Sequence, residues 1–299
     1  MSTQQPTVSR PDKLLFPDAG ISKQDIADYF GAVAEPLLDH AARRPLTLRR
    51  FPEGIAPETS DEAGFFQQRA HGDLPAGLAP QPAPSADGRE EIVHITLTSG
   101  AGLTALADMA AIELHGWLAR APELERPDRL IFDLDPPDGD FAAVRRAARR
   151  VAGLMDELGL APHLMTTGSR GLHVVAPLVA TLDFDTVREL AKAMAHRLAE
   201  RHPDELTTAQ RKDKRGGRLY LDIMRNAYGQ TAILPYSPRA RPGAPVAAPL
   251  EWDELGGLDG AAAYDLRSIP RRLAQKPDPW AEIDAAATDP AGLRAALEE

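Results

Sequence analysis

The hydrophobic positions in the middle of the chain change from strand spacing to helix spacing and back. Alternation typical of strands covers 130–135, 163–167, 172–176 and 218–224. Helical spacing covers 141–158 and 184–201, with Asp138 or Asp140 as the N-cap of the first helix and Gly159 at its end. The resulting order, β-α-β-β-α-β, predicts a sheet of the ferredoxin-like or RNA-recognition (RRM) type.

This topology predicts that three acidic residues lie next to one another. Asp133 and Asp135 project from one face of the first strand, because side chains alternate with a period of two. In the usual strand order 4-1-3-2, Asp222 on the fourth strand lies beside them, and His173 on the third strand reaches toward them. Three neighbouring carboxylates repel one another without a cation, so the pattern predicts a site for Mg²⁺ or Mn²⁺. Without the other residues, Asp133 and Asp135 could also be interpreted as two solvated acids at the end of a strand.

The rest of the chain shows further periodic segments. A helix is predicted for 22–42, opened by a capping box of Ser22 and Asp25 and kinked at Pro36. The other predicted segments are strands at 45–51, 92–97 and 231–236, a helix at 103–118 and a mobile proline-rich surface loop at 74–89.

Three short motifs lie on the predicted sheet: Asp133-Leu134-Asp135, the turn from Thr167 to His173, and Asp222. Further landmarks along the chain are Lys13 to Pro17, Lys23, Arg49 to Pro52, Phe65 to Gln67, His115 to Trp117, Pro235 to Ser237 and Arg239 to Gly243. Together these residues resemble the archaeo-eukaryotic primases, and most closely the polymerase domain of bacterial ligase D. The resemblance extends from about residue 13 to about residue 255.

The resemblance implies an α/β (α+β) fold of the primase type, in which an RRM-like catalytic sheet packs on an N-terminal α/β subdomain. We therefore expect a flexible N-terminus at 1–12 and a primase-polymerase domain at 13–250, with its N-terminal lobe at about 13–120 and its catalytic lobe at about 121–250. Residues 251–299 are expected to form an acidic C-terminal extension, packed on the domain or trailing it.

The resemblance also implies a template-dependent nucleotidyltransferase that uses two metal ions and prefers Mn²⁺ to Mg²⁺. Asp133 and Asp135 would bridge both ions, and Asp222 would ligate the ion that activates the primer 3′-hydroxyl. Ribonucleotides are expected in preference to deoxynucleotides. The residues implied at the nucleotide are Thr167, Ser169, Arg170, His173, His115 and Arg215. The family usually has serine where Thr167 stands.

DNA with a gap or a 5′-phosphorylated end is the implied substrate. Lys13 and Lys23 are implied at the 5′-phosphate, and one ring of the Phe65–Phe66 pair is implied to stack on a templating base. The other candidate DNA contacts are Arg49, Arg50, Arg225, Arg239 and Arg241. Ku and a separate DNA ligase are the implied partners, in non-homologous end joining or a related repair reaction.

Composition changes this picture in three ways. The net charge of −10 argues, taken alone, against nucleic-acid binding, but residues 251–299 hold 11 acids against 5 bases and 211–218 is densely basic. The lack of cysteine excludes disulfides and cysteine-ligated zinc. With no signal peptide and no apolar run of membrane-spanning length, we expect a cytoplasmic, nucleoid-associated protein that does not bind membranes.

Two other functions use the same residues. A metal-dependent phosphoesterase could use the acid cluster, but it has no need of a triphosphate-binding turn at 167–173. A non-catalytic scaffold that binds DNA ends could keep Lys13 and Lys23, but it has no need of the acids. Because the 299 residues contain no ligase or phosphoesterase module, we expect a stand-alone polymerase or one component of a split system.

Overall fold

The computed structural model describes residues 7–55, 64–137 and 139–298. The strands are β1 (Leu14–Phe16), β2 (Ile21–Ser22), β3 (Leu46–Arg50), β4 (Phe65–Gln67), β5 (Leu78–Pro84), β6 (Glu91–Leu97), β7 (Ala111–Trp117), β8 (Arg129–Leu134), β9 (His163–Thr166), β10 (Leu172–Pro177), β11 (Leu206–Thr207), β12 (Leu219–Tyr220), β13 (Thr231–Ile233) and β14 (Pro249–Leu250). The α-helices are α1 (Lys23–Ala32), α2 (Ala34–Ala41), α3 (Gly100–Asp108), α4 (Phe141–Glu157), α5 (Phe184–Arg201), α6 (Ser268–Leu273) and α7 (Leu293–Glu298). The 3₁₀ helices are Lys212–Lys214, Met224–Asn226, Trp252–Gly257, Ile283–Ala286 and Pro290–Gly292.

The chain forms two compact units. The first comprises Met1–Trp117, Thr231–Ala248 and Tyr264–Asp278, and the second comprises Leu118–Gln230, Pro249–Ala263 and Pro279–Glu299. Residues 251–299, expected as one extension, are instead divided between the two units. Their apolar side chains are buried there, Ile269 in the first unit and Trp280, Ile283 and Leu293 in the second. Residues 1–6 of the expected flexible N-terminus lie outside the described residues.

The sheet of the first unit has the strand order β13-β7-β3-β6-β5, and β4 pairs with β3. The helix predicted at 22–42 is two helices, α1 and α2, that meet at Val33. The break follows from Pro36, which has no N–H to donate and whose ring would collide with the carbonyl four residues earlier. The predicted capping box is present, with Ser22 and Asp25 bonded reciprocally.

The prediction of a mobile loop at 74–89 is wrong at the centre of the segment, where Leu78–Pro84 forms strand β5. Its prolines occupy alternate positions opposite Ile95, Val93 and Glu91 of β6. The Gly77 carbonyl accepts from the Thr98 amide (2.8 Å), which places the backbone groups of odd-numbered residues toward β6. The nitrogens of the prolines at even positions therefore point away from β6, where no hydrogen bond of the ladder is lost. An edge strand tolerates proline at such positions.

The predicted helix at 103–118 is also wrong in its second half. Helix α3 ends at Asp108, the chain turns through Ala110 (φ 53°), and β7 runs between β3 and β13. Because β7 is buried on both faces, its apolar residues form a nearly continuous run that does not show strand alternation. His115 consequently lies on a central strand and not at a helix end.

The sheet of the second unit has the strand order β14-β9-β10-β8, with α4 and α5 packed against it. Both helices fall within a residue of their predicted bounds, and Asp140 caps α4 by accepting from the amides of Ala142 and Ala143. Asp138, the other predicted cap, lies outside the described residues. Along the described chain, we find no helix long and apolar enough to cross a membrane.

The fourth strand of the predicted β-α-β-β-α-β pattern is much shorter than 218–224. β12 pairs in parallel with β11, and Asp222 then forms a single antiparallel bridge with Asp133 before the chain enters the 3₁₀ helix Met224–Asn226. That helical turn ends the ladder after one residue pair. The prediction that Asp222 lies beside β8 is nevertheless correct.

Candidate active site

Three carboxylates meet at the end of β8. The Asp133 amide donates to the Asp222 carbonyl (2.9 Å), and His173 of β10 lies opposite Asp133 on the other side. Asp135 follows two residues later, so the pleat directs it to the same face as Asp133. The structure thus brings together the four residues that the predicted strand order placed side by side.

Asp133 is the most strongly paired of the three acids. Its carboxylate lies 3.5 Å from His173 Nε2 and 3.4 Å from Arg225 Nε. Burial would raise the pKa of Asp133, but His173 and Arg225 outweigh burial and lower this pKa to about 2. Asp133 therefore stays ionised at any physiological pH.

The other two acids behave in the opposite way. Burial, followed by the charge of Asp133, raises the pKa of Asp135, although Arg170 Nη2 lies 3.3 Å from its carboxylate. Burial also raises the pKa of Asp222, and the charges of Asp133 and Asp135 add to it. The Met224 amide donates to Asp222 Oδ1 (2.8 Å) and opposes that shift. The cluster thus contains more negative charge than its surroundings neutralise.

The donor chemistry of this cluster fits a hard divalent cation, since carboxylate oxygens are the ligands that Mg²⁺ and Mn²⁺ prefer. Within residues 7–55, 64–137 and 139–298, no three His, Asp or Glu side chains are gathered closely enough to hold a metal ion as they stand. Two of the acids are instead engaged by neighbouring side chains. Asp133 is turned toward His173 and Arg225, and Asp135 toward Arg170.

The turn after β9 is shaped by Thr167. Its hydroxyl donates to the Gly171 carbonyl (3.0 Å) and accepts from the amides of Gly171 (3.3 Å) and Ser169 (3.4 Å). Gly171 leaves no room for a side chain, because a Cβ atom there would lie 2.2 Å from the Leu134 carbonyl oxygen and 2.6 Å from Asp135 Oδ1. The turn therefore presses against the acid cluster, with Ser169 half-buried and Arg170 exposed beside it.

Arg215, a predicted nucleotide contact, is engaged within its own segment. Its guanidinium lies 4.4 Å from the centre of the Tyr220 ring and donates to the carbonyls of Ala209 (3.2 Å) and Gln210 (2.8 Å). Tyr220 precedes Asp222 by two residues, so Arg215 supports the strand that leads to the third carboxylate. Arg225, predicted to contact DNA, faces Asp133 as described above.

The first unit contains a different charged cluster, organised by the buried side chain of Glu113. Glu113 Oε2 lies 3.0 Å from His115 Nε2, and Oε1 lies 3.4 Å from Arg49 Nη1 and 3.3 Å from Arg239 Nε. The Ala240 amide also donates to Oε1 (3.0 Å). Burial would raise the pKa of Glu113, but His115 and Arg239 lower it to about 2. Three predicted substrate contacts therefore share one carboxylate.

The hairpin of β3 and β4 presents two exposed aromatic rings. Phe65 and Phe66 are 48% and 61% exposed, so neither ring belongs to the core. The guanidinium of Arg50 lies 5.3 Å from the Phe65 ring, and that of Arg49 lies 5.5 Å from the Phe66 ring. Arg50 also donates to the Met109 carbonyl (2.9 Å). Both rings and Arg50 line a cavity of about 630 Å³.

Lys13 and Lys23 lie together, since the Lys23 amide donates to the Lys13 carbonyl (2.8 Å). Lys13 Nζ contacts the Pro52 carbonyl and lies 3.5 Å from the carboxylate of Glu53. Lys23 is buried, and its Nζ donates to Ser9 and to both the carbonyl and the carboxylate of Asp108. Arg241 is half-buried in the turn that follows Arg239.

Two polar residues that hold these clusters together escaped the sequence interpretation. Glu113 was assigned to a helix, although the spacing Glu113-x-His115 places both side chains on one face of a strand. Asn226 is buried beside β8, and its amide bonds the backbone of Ile131. No periodic pattern indicates that role.

Comparison with known proteins gives a consistent result. The chain matches the family model for the LigD primase-polymerase domain over residues 22–280. It is 35% identical over 279 residues to the multifunctional non-homologous end joining protein LigD of Pseudomonas aeruginosa, an alignment that covers 92% of this chain and 32% of that protein. The bifunctional non-homologous end joining protein LigD of Bacillus subtilis is 28% identical over 272 residues, which cover 90% of this chain and 42% of that protein. The chain thus spans well under half the length of these relatives.

A solved structure is similar over nearly the whole chain. The polymerase domain of Mycobacterium tuberculosis ligase D in complex with DNA superposes with a TM-score of 0.85 at 32% sequence identity. The superposition covers 94% of this chain and 99% of that chain. This likeness confirms the mixed α/β, primase-type fold expected from the sequence.

Proposed function

Because the chain belongs to the LigD primase-polymerase domain family, we propose that it is a template-dependent nucleotidyltransferase that extends a primer strand at gaps or 5′-phosphorylated DNA ends. The observation that carries this proposal is the convergence of Asp133, Asp135 and Asp222 at the end of β8, with two of their pKa values raised by burial and mutual charge. Such perturbed carboxylates cluster at functional sites.

In the proposed reaction, the primer 3′-hydroxyl gives up its proton to solvent and its oxygen bonds to the α-phosphorus of an incoming nucleoside triphosphate. The bond from that phosphorus to the β-phosphate oxygen breaks, and pyrophosphate leaves. Asp133, Asp135 and Asp222 would hold two divalent ions, preferably Mn²⁺, which when bound stabilise the attacking and leaving oxygens. The three residues act as anionic oxygen ligands, and the bridge between β8 and Asp222 keeps them on one edge of the sheet.

The chain also offers positive charge and donors for the triphosphate. Arg170 is exposed beside Asp135, and Ser169 lies next to it in the turn that Thr167 holds closed. We propose that Arg170 and Ser169 bind the phosphates and that Thr167 acts by shaping the turn. His173, bonded to Asp133, would fix that carboxylate in place. We further propose a preference for ribonucleotides, with His115 near the sugar.

Binding of DNA is supported by the exposed rings of Phe65 and Phe66, which are the kind of side chains on which unpaired bases stack. Arg49, Arg50, Arg239 and Arg241 would neutralise backbone phosphates nearby. The pair Lys13 and Lys23 would bind a 5′-phosphate, which requires Lys23 to exchange Asp108 for the phosphate. Ku and a separate DNA ligase are the proposed partners in end joining.

The test is primer extension across a short gap that carries a downstream 5′-phosphate, with Mn²⁺ and ribo- or deoxynucleotides. We expect templated addition, faster with ribonucleotides, by the wild type and by the control Asp213→Ala, whose carboxylate is exposed and pairs with Arg211. Asp133→Ala should abolish addition. Tight binding to the gapped DNA without addition would favour the scaffold function, and shortening of the strand would favour a phosphoesterase.

A further inference from the structure

A single backbone bridge, between Asp222 and Asp133, pairs the segment that carries Asp222 with strand β8. We infer that Asn226 is a positioning residue, whose side-chain amide stands in for the missing strand and fixes Asp222 in register with Asp133. The inference rests on the proposed function, because it gives Asn226 a role through the carboxylates and not on the substrate.

The contacts of Asn226 are those of a neighbouring strand. Its Oδ1 accepts from the Ile131 amide (2.8 Å), and its Nδ2 donates to the Ile131 carbonyl (2.8 Å). The same Nδ2 donates to the Ile223 carbonyl (2.8 Å), one residue after Asp222. Asn226 is fully buried, with 0% of its surface exposed. One side chain therefore satisfies both backbone groups of Ile131 and closes the turn that follows Asp222.

These contacts lie on the edge of β8 that faces Asp222. The Ile131 backbone groups and the Asp133 amide point to the same side of the strand, because they are two residues apart. The Asp133 amide bonds the Asp222 carbonyl (2.9 Å), and the Ile131 amide and carbonyl bond Asn226. Residues 222–226 are thus attached to β8 at two successive positions of its edge.

The second attachment matters because the Asp222–Asp133 bridge alone defines the register between this segment and β8 poorly. A slip of one residue turns every side chain to the opposite face of a sheet, and here it would replace Asp222 by Leu221 or Ile223. Both of these neighbours are apolar and buried. Asn226 opposes such a slip, since moving the segment would leave the buried amide and carbonyl of Ile131 without partners.

Asparagine is the residue type that this position requires. The side chain must present one acceptor and two donors in one plane, which the Asn amide does. Aspartate would keep the acceptor but would place a carboxylate against the carbonyls of Ile131 and Ile223. Glutamine carries the same amide one methylene further from the backbone, and alanine removes it.

The test measures Mn²⁺ binding to the protein without nucleotide or DNA, by electron paramagnetic resonance of the unbound ion. Variants Asn226→Ala and Asn226→Asp are compared with Leu198→Ala, a buried substitution on α5 in the same unit, at temperatures chosen to give equal folded fractions. We expect both Asn226 variants to bind Mn²⁺ about tenfold or more weakly, as loss of a ligand-orienting partner does elsewhere. Leu198→Ala should match the wild type, and gap extension by Asn226→Ala should fall in kcat with little change in the nucleotide KM.

Equal Mn²⁺ affinity of Asn226→Ala and Leu198→Ala would overturn the inference. Failure of the wild type itself to bind Mn²⁺ would instead count against the proposed function. Should the Asn226 variants not fold, amide hydrogen exchange of the wild type decides the question. The Ile131 amide must exchange as slowly as the Asp133 amide, and fast exchange at Ile131 would contradict the pairing with Asn226.

Discussion

The two units each contain a cluster of charged side chains, and the two clusters have opposite balances of charge. In the first unit, the single carboxylate of Glu113 is shared by His115, Arg49 and Arg239, and its pKa is lowered to about 2. In the second unit, three carboxylates are shared by His173, Arg170 and Arg225, and the pKa values of Asp135 and Asp222 are raised.

The difference gives the carboxylates of the two clusters different roles, a structural one for Glu113 and a functional one for Asp135 and Asp222. Glu113 has all the positive charge it needs within its own cluster, so its ionised form stabilises the fold and orients the cations around it. Ionisation of Asp135 and Asp222 destabilises the folded state. Proteins retain such destabilising groups at functional sites, where a bound ligand compensates for the loss of stability. The second cluster is therefore the one expected to respond to a cation.

The largest expected effect is on catalysis by Asp222→Asn. The new side chain keeps an oxygen that can accept from the Met224 backbone amide, but it lacks the negative charge of the third ligand. We expect the rate of gap extension to fall on the order of 10³-fold, corresponding to about 4 kcal/mol of lost transition-state stabilisation. Asp213→Asn, an exposed carboxylate of the same unit, should retain the wild-type rate. Comparable rates for Asp222→Asn and the wild type would remove Asp222 from the catalytic centre.

The next effect is on the stability of the first cluster. Glu113→Gln leaves the imidazole of His115 and the guanidiniums of Arg49 and Arg239 around a neutral amide. We expect a loss of about 3 kcal/mol in the free energy of unfolding, measured by urea denaturation, because a buried charge network loses its central member. The control Glu90→Gln breaks the exposed pair with Arg69 and should cost less than about 1 kcal/mol. Equal losses for the two variants would show that Glu113 does not organise its cluster.

The pH dependence sharpens the same contrast. A carboxyl whose pKa falls from 4.5 in the unfolded chain to about 2 in the fold contributes stability above pH 4.5, and the contribution disappears as the pH falls toward 2. The stability difference between wild type and Glu113→Gln should therefore shrink between pH 4.5 and pH 2. Urea denaturation at successive pH values measures it, and a difference that persists at pH 2 would contradict the assignment.

A smaller effect is expected from the exposed rings. Phe66→Ala removes one exposed ring without opening a cavity, so the melting temperature should stay close to that of the wild type. Affinity for a gapped template should fall by about 1–3 kcal/mol, the usual contribution of a ring that stacks on a base. Fluorescence anisotropy with labelled DNA measures the loss, and Phe66→Trp is the control that should retain affinity. Unchanged binding by Phe66→Ala would place the template elsewhere.

The parts of the site that could be predicted are those with a simple period. Alternation along 130–135 predicted that Asp133 and Asp135 lie on the same face of the strand. The usual strand order predicted that Asp222 and His173 lie beside them. The helices α4 and α5 were predictable because each presents one apolar stripe to the sheet.

The errors have physical causes that a period does not reveal. Strand β7 is buried on both faces, so its run of apolar residues was assigned to a helix, and Glu113 was overlooked within it. Strand β5 contains prolines that are permitted only because it lies at the edge of its sheet. Asn226 replaces a strand by a side chain, and that substitution depends on three-dimensional contacts with Ile131.

Thermal unfolding of wild type and Asp222→Asn, first with a chelator and then with increasing Mn²⁺, tests the central claim most directly. With the chelator, we expect Asp222→Asn to melt about 2 °C or more above the wild type, since the variant lacks a carboxylate that is costly to ionise. Mn²⁺ should raise the melting temperature of the wild type alone and reverse the order. Equal Mn²⁺ shifts for both proteins, or a lower melting temperature for Asp222→Asn with the chelator, would contradict a cation site built on these three acids.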